Sequence, residues 1–500
     1  MLSVADQLLR AFVALFLTPI MVLSLGGADF GMWVLLTGFF SQFILLDMGL
    51  NASLPHFLGQ SLGKNDLLSR REVASSAALM FSRVTMVGLC VTAAVWLILP
   101  WFLKDEARLA EARGVVVVLG IATAVHTLSK IFVLDLKSRL RTDVLSVFGM
   151  IRVTICATIA WSVLRHGGGV LDLALIHGTG TAAEAIGIAT WNRALLASIH
   201  PRWASREVCW EILRYSRWSY ALTTSERLRG GLDPFLLGWL RNSISSGVYA
   251  LGMRPVAMFY DVVYAMIGGQ LLPAFSRLHA EHRTELLEKS FVMASRVSAL
   301  LAAFGGGWLM VAGPLFMQCW VPQQASEALP VLWCVTFPFI LYATQIPSVH
   351  LLYSLSKHRA VAKVFTAGVI VNIILSAVLI TKFGIVGAAI GTAVEMTVVY
   401  GLVLPWLVAR TMNKPVRWVL ENIVFRPLLR AALIVSPVAA AWLFSPTWLH
   451  VAIITFGLGV WFIFAIASGL FGREEKLWFW RFADAGRMAE DVPESGSWDV

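Results

Sequence analysis

Gly391-Thr392-Ala393-Val394-Glu395 repeats the pattern of Gly180-Thr181-Ala182-Ala183-Glu184 at an offset of 211 positions, and both lie inside apolar runs. Two further matches fall in the same order at nearly the same offset. Gly31-Met32-Trp33, which leads to Leu54-Pro55-His56-Phe57, is answered by Gly247-Val248-Tyr249, which leads to Leu272-Pro273-Ala274-Phe275, at 216 and 218. The offset spans six apolar runs, an even number, so both copies would enter a membrane from the same side. The pattern predicts two parallel repeats related by an axis along the membrane normal, with a ligand between them near the midplane.

Outward from these segments, apolar runs long enough to cross a bilayer occur at about 8-25, 31-50, 76-101, 114-136, 144-165, 170-190, 217-240, 248-272, 289-313, 327-354, 362-381, 384-409, 425-444 and 448-471. The fold expected is all-α and polytopic, with about 14 transmembrane helices. Residues 1-205 and 206-410 would form two six-helix bundles around a central cavity, 411-471 two added helices, and 472-500 a cytoplasmic tail. The run at 217-240 is kept as a crossing despite Glu226, Arg227, Arg229 and Asp233, because the count on either side requires one. The first run lacks a basic leader and a small-residue cleavage site, so it reads as a retained helix.

Composition agrees. The chain is 58% apolar and 14% charged, with a mean hydropathy of +0.74; soluble domains carry about a quarter charged residues. Connections this short leave no room for an appended catalytic domain. Alternate loops collect about 23 Lys and Arg against about 6 in the opposite set, which predicts both termini in the cytoplasm. The net charge of +10 is thereby assigned to loops facing anionic lipid, not to nucleic acid. Cys90, Cys156, Cys209, Cys319 and Cys334 are scattered, with no C-x-x-C pair, so neither a disulfide framework nor a metal site is expected. Gly59-x-x-x-Gly63-Lys64-Asn65 is one residue short of a phosphate-binding loop, and H-E-x-x-H and G-x-S-x-G are absent. The expectation is a transporter without catalysis or cofactor.

Charges inside the runs are the candidate site. An arginine at the bilayer centre costs about 2.5 to 3.5 kcal/mol on insertion scales, so such residues must face protein or water. At 1.5 Å per residue, Arg227 and Arg229 fall near mid-membrane, while Arg83, Arg152 and Arg296 lie about 10 to 12 Å from the inner surface. These five are the candidate substrate-binding residues, with ion pairing or snorkelling as the alternative. Glu226, Arg229 and Asp233 would share a helical face, beside Gly230-Gly231 and Pro234, which weaken the helix. Asp233 and Arg254 lie at equal depth in a hairpin and are expected to pair. The repeat-related Glu184 and Glu395 would be either neutral interface residues or protonation sites. With Asp261 and Asp47 they make up the coupling or gating candidates. His126, His177 and His350 read as hydrogen-bonded bundle residues, and Gly387-x-x-x-Gly391 as a close helix contact.

These residues resemble the polysaccharide or lipid-linked oligosaccharide flippases of the multidrug/oligosaccharidyl-lipid/polysaccharide (MOP) exporter superfamily. The likeness rests on Leu25-Gly26 with Phe30-Gly31-Met32-Trp33 and Asp47-Met48-Gly49-Leu50, and on Asp233, Leu237-Gly238, Gly247-Val248-Tyr249-Ala250, Arg254 and Leu272-Pro273-Ala274-Phe275-Ser276-Arg277. It continues in Ser354-Leu355-Ser356-Lys357, Val371-Asn372 and Phe383-Gly384-Ile385-Val386-Gly387-Ala388-Ala389. The resemblance implies twelve core helices, alternating access, and export of an undecaprenyl-diphosphate-linked oligosaccharide for O-antigen, lipopolysaccharide or exopolysaccharide synthesis. Membrane lipid, a polymerase and a chain-length regulator are the implied partners. Pro234 departs from the pattern, because many relatives are basic there. The competing readings are a polytopic membrane glycosyltransferase or polymerase, a cation-coupled drug exporter, and a peptidoglycan-precursor flippase of the same superfamily.

Overall fold

The computed structural model describes residues 2–47, 49–63, 66–101, 106–426, 428–429, 432 and 445–467, and every regular element among them is helical. In chain order these are α1 (Leu2–Ser41), α2 (Leu50–Gly63), α3 (Leu67–Ile98), α4 (Glu106–Ser138), α5 (Thr142–Arg165), α6 (Val170–Trp191) and the short α7 (Arg193–Ser198). Then follow α8 (Arg206–Gly231), α9 (Asp233–Leu240), α10 (Ser243–Ala280), α11 (Thr284–Val311), α12 (Gly313–Trp320), α13 (Ala325–Thr344) and α14 (Ile346–Ser354). The chain continues through α15 (His358–Phe383), α16 (Ile385–Val398), α17 (Leu404–Thr411), α18 (Val416–Val419) and α19 (Trp448–Ala467).

Ten described helical stretches are long and apolar enough to cross a membrane. The fourteen expected runs map onto them with four differences. Runs 8-25 and 31-50 form one stretch, Ala5–Asp47, interrupted at Gly26, whose φ of 78° is open to glycine and strained for other residues. Runs 170-190 and 217-240 are helical, as α6 and α8–α9, but are not among the ten. Most of run 425-444, like the tail 472-500, lies outside the described residues.

The chain divides into two compact units, which do not follow the 1-205 and 206-410 halves of the repeat. The first comprises Met1–Met258, Ser326–Val335 and Lys357–Val399; the second comprises Phe259–Ala325, Thr336–Ser356 and Tyr400–Val500. In the first, α8 packs on α2 and α15, which draws residues beyond 206 into the N-terminal group. Its core is built from Leu50, Leu54, Phe81 and Leu134 on one side and Met32, Phe40, Val115 and Ala174 on another. Leu23, Met86, Leu97 and Ile155 stay exposed, as expected of helices whose outer solvent is lipid. The expected close contact at Gly387 and Gly391 is present. A Cβ at Gly387 would stand 2.2 Å from the Leu379 carbonyl oxygen, and one at Gly391 would stand 2.4 Å from Ser376 Oγ. In the second unit, Leu300 and Ala303 of α11 pack on Ala465 of α19, and Ala312 packs on Leu458.

Candidate functional site

The charged run at 217-240 breaks at its centre. α8 stops at Gly231 and α9 restarts at Asp233–Pro234, where the proline has no N–H to give and so suits a first helical turn. The break changes which residues meet. Arg229 and Asp233 no longer share one continuous face, and each takes a partner from α16 instead. Arg229 is 5% exposed and donates from Nε to Glu395 Oε2 at 3.0 Å and Oε1 at 3.2 Å. Its guanidinium lies 5.0 Å from the ring centroid of Phe365 on α15. A side chain at Gly368 would collide with Glu395 Oε1, so the glycine leaves the carboxylate its place.

Asp233, 1% exposed, accepts from Tyr249 Oη at 2.7 Å and from Thr392 Oγ1 through the same oxygen, Oδ2. Asn372 Nδ2 donates in turn to Thr392 Oγ1 at 3.0 Å. The expected Asp233–Arg254 pair is therefore not formed: Tyr249 points into the core of the unit, whereas Arg254 lies on the exposed side of α10. Asn372 Oδ1 is buried without a hydrogen-bond partner among the described residues, and Ser376 lies beside Asp233. An oxygen-only set of this kind suits a hard cation or a proton. Among the described residues, no group of three or more His, Cys, Asp or Glu could hold a metal ion.

The second repeat-related glutamate behaves alike. Glu184 Oε2 pairs with Arg152 Nε at 2.7 Å, between α6 and α5. Both repeat-related glutamates sit in helix interfaces, and each is salt-bridged to an arginine. The two arginines come from α5 and α8, which are not repeat-related, so the pairs arose in different surroundings and differ in exposure.

A third cluster surrounds Asp47, which closes the tight turn Gln42–Asp47. Its carboxylate accepts from the Gly49 backbone N–H at 2.9 Å and from Asn51 Nδ2, and faces Lys130 Nζ at 3.8 Å. Arg227, exposed on α8, acts electrostatically on both Asp47 and Lys130. His126 sits within electrostatic reach of Lys130, Arg152 and His177. Lys130 was missed by the sequence reading, although a single lysine inside the apolar run 114-136 was its signal. Asp135, four residues before Arg139, was missed in the same run. It is fully buried and gathers Arg70 Nη2 at 2.8 Å, Arg139 Nε at 2.9 Å and Asn192 Nδ2 at 2.8 Å, tying α3, α4 and the end of α6 together.

The first unit thus collects Arg152, Arg227, Arg229, Glu184, Glu395, Asp47 and Asp233, with Lys130 added. Arg83 is exposed on α3. Arg296, half-buried on α11, and Asp261, exposed on α10, belong to the second unit.

A family model described as "Polysaccharide biosynthesis protein" matches residues 20–318. A probable flippase, AglR of Haloferax volcanii, is 21% identical over 391 residues, which is 78% of each chain. Among solved structures, the lipid II flippase MurJ in an inward closed conformation is similar over 97% of this chain and 99% of its own, with a TM-score of 0.70 at 10% identity. An inward-facing multidrug resistance MATE family transporter of the MOP superfamily is similar over 82% of this chain and 98% of its own, with a TM-score of 0.69 at 12% identity.

Proposed function

Because the chain belongs to the polysaccharide biosynthesis protein family and has the all-helical fold of MOP-superfamily flippases and transporters, we propose that it moves an undecaprenyl-diphosphate-linked oligosaccharide from the cytoplasmic to the outer leaflet of a bacterial inner membrane. The observation that carries this cargo is the exposed cation Arg227 on α8, beside Lys130 and Arg152, which carry their own carboxylate partners Asp47 and Glu184. A diphosphate needs such groups, and arginine binds it through two parallel hydrogen bonds. In this reading the phosphate ligand is Arg227, which is exposed and lies on α8 ahead of the helix break. Arg229 is committed to Glu395 and serves to hold α8 against α16. The sugars would travel in a wet groove while the polyprenyl tail stays in lipid, and nothing in this process needs chemistry on the chain.

Outward movement of an anion gains about 2.3 kcal/mol per charge per 100 mV in a cell negative inside. A cation or proton taken up by Asp233, Glu395 or the other buried carboxylates could add to this as antiport. The test is reconstitution of the full chain in vesicles with the undecaprenyl-diphosphate-linked oligosaccharide. Wild-type protein should expose the sugar on the opposite leaflet, faster under an imposed potential, and Arg227→Ala should slow it at least about tenfold, as loss of one charge-assisted contact implies. Export of organic cations with no movement of the lipid would favour the drug-exporter reading, and extension of the glycan in vitro would overturn transport altogether.

A further inference from the structure

Five of the chain's eight tyrosines, together with Phe339, meet in one place in the second unit. Tyr342 of α13 is sandwiched between Tyr260 of α10, stacked at 4.1 Å with 9° between planes, and Tyr400, at 4.5 Å. Tyr264, one turn beyond Tyr260 on α10, continues the ladder at 6.1 Å. His350 of α14 lies 6.0 Å from Tyr264 and 6.3 Å from Tyr353. The ladder runs from inside to outside: Tyr400 is 0% exposed and Tyr264 is 42% exposed.

Two features separate this cluster from an ordinary aromatic core. First, a phenol buried among apolar helices must have its hydroxyl satisfied at a cost that phenylalanine avoids, so packing alone would select Phe. Second, His350 is 8% exposed, and its Nδ1 has no hydrogen-bond partner among the described residues. It follows a break in the spanning helix at Gln345, between α13 and α14, and broken spans are where transporters place ligand groups. Gly268, one turn past Tyr264, seats the ring: a Cβ there would come within 2.8 Å of Tyr264 Cε2.

We propose that the exposed end of this ladder, Tyr264 with His350, is a saccharide-binding surface that takes a pyranose ring of the lipid-linked cargo. It rests on the flippase reading and adds a sugar subsite to it, separate from the cations of the first unit. A pyranose presents a face of C–H bonds, which packs on a flat aromatic ring, and a rim of hydroxyls. His350 Nδ1 meets that rim, as the few polar groups of an aromatic site do for other small ligands.

The test compares binding of two probes to the purified full chain: undecaprenyl diphosphate carrying one N-acetylglucosamine, and bare undecaprenyl diphosphate. Wild-type protein should prefer the sugar-bearing lipid by about tenfold, the scale of one good aromatic contact and a hydrogen bond. Tyr264→Phe should keep most of that preference. Tyr264→Leu, which keeps bulk but removes the ring, should bring the ratio close to one while leaving affinity for the bare lipid unchanged. If the leucine variant does not purify folded, Gly268→Ala, which pushes the ring from its seat, should give the same loss. A wild-type ratio of one, or an unchanged ratio in a folded Tyr264→Leu or Gly268→Ala variant, overturns the sugar subsite. Binding of neither lipid overturns the cargo assignment itself, and the subsite with it.

Discussion

At Arg229, the partner decides what a mutation means. With Glu395 buried at 2% exposure and bonded to it at 3.0 Å, removal of the arginine strands a carboxylate in the interior. Breaking a buried pair from one side costs about 3 to 5 kcal/mol, whereas replacing both members by apolar residues of similar volume is often neutral. Arg229→Leu should therefore lower the thermal midpoint of the purified protein sharply, and the double change Arg229→Leu, Glu395→Leu should restore most of it. A double variant as unstable as the single would show that Glu395 is not the residue Arg229 neutralises. If the restored double variant still fails to transport, the pair also has a role in the transport cycle. The sequence made Arg229 a candidate, because depth and charge are linear properties of the chain. It set Arg229 on one helical face with Glu226 and Asp233, because neighbours along one helix or hairpin can be found by counting; Glu395, 166 positions away, cannot.

The same limit applies to elements. Where glycine or proline interrupts an apolar run, as at Gly230-Gly231 with Pro234, the weakness is legible in the sequence, since proline removes a donor and clashes with the preceding turn. The structure places the break between Gly231 and Asp233. The run 327-354 reads as continuous, yet α13 ends at Thr344 and α14 begins at Ile346, and Gln345 with Pro347 marks the break. Pro234→Ala lifts a penalty of about 3 kcal/mol against a continuous helix. That variant should slow transport, because a joined α8–α9 would carry Asp233 away from Tyr249 and Thr392. Transport at the wild-type rate in the folded variant would show that the break is not needed.

For the whole molecule, the charge asymmetry of the loops makes a prediction that the fold alone does not. Reporters fused at Ala107 and Val208 should lie on opposite sides of the membrane, outside and inside respectively, since loops rich in Lys and Arg resist translocation. Both reporters on one side would refute the orientation. The membrane class, the helical fold, the absence of recognised enzyme motifs and the repeat-related glutamates were all determined by the sequence itself, because apolar length, charge density and spacing act locally along the chain. The tertiary structure decided the rest. It assigned α8, α15 and α16 to the same compact unit as the N-terminal helices, paired Glu184 with Arg152 and Glu395 with Arg229, placed Lys130 against Asp47, and gathered five tyrosines from distant segments. In a chain that is apolar on nearly every face, periodicity hardly distinguishes the lipid-facing side of a helix from the packed one. Which polar groups meet is then settled by helix packing, through glycine contacts such as Gly387 and Gly391, and not by any pattern a single helix displays.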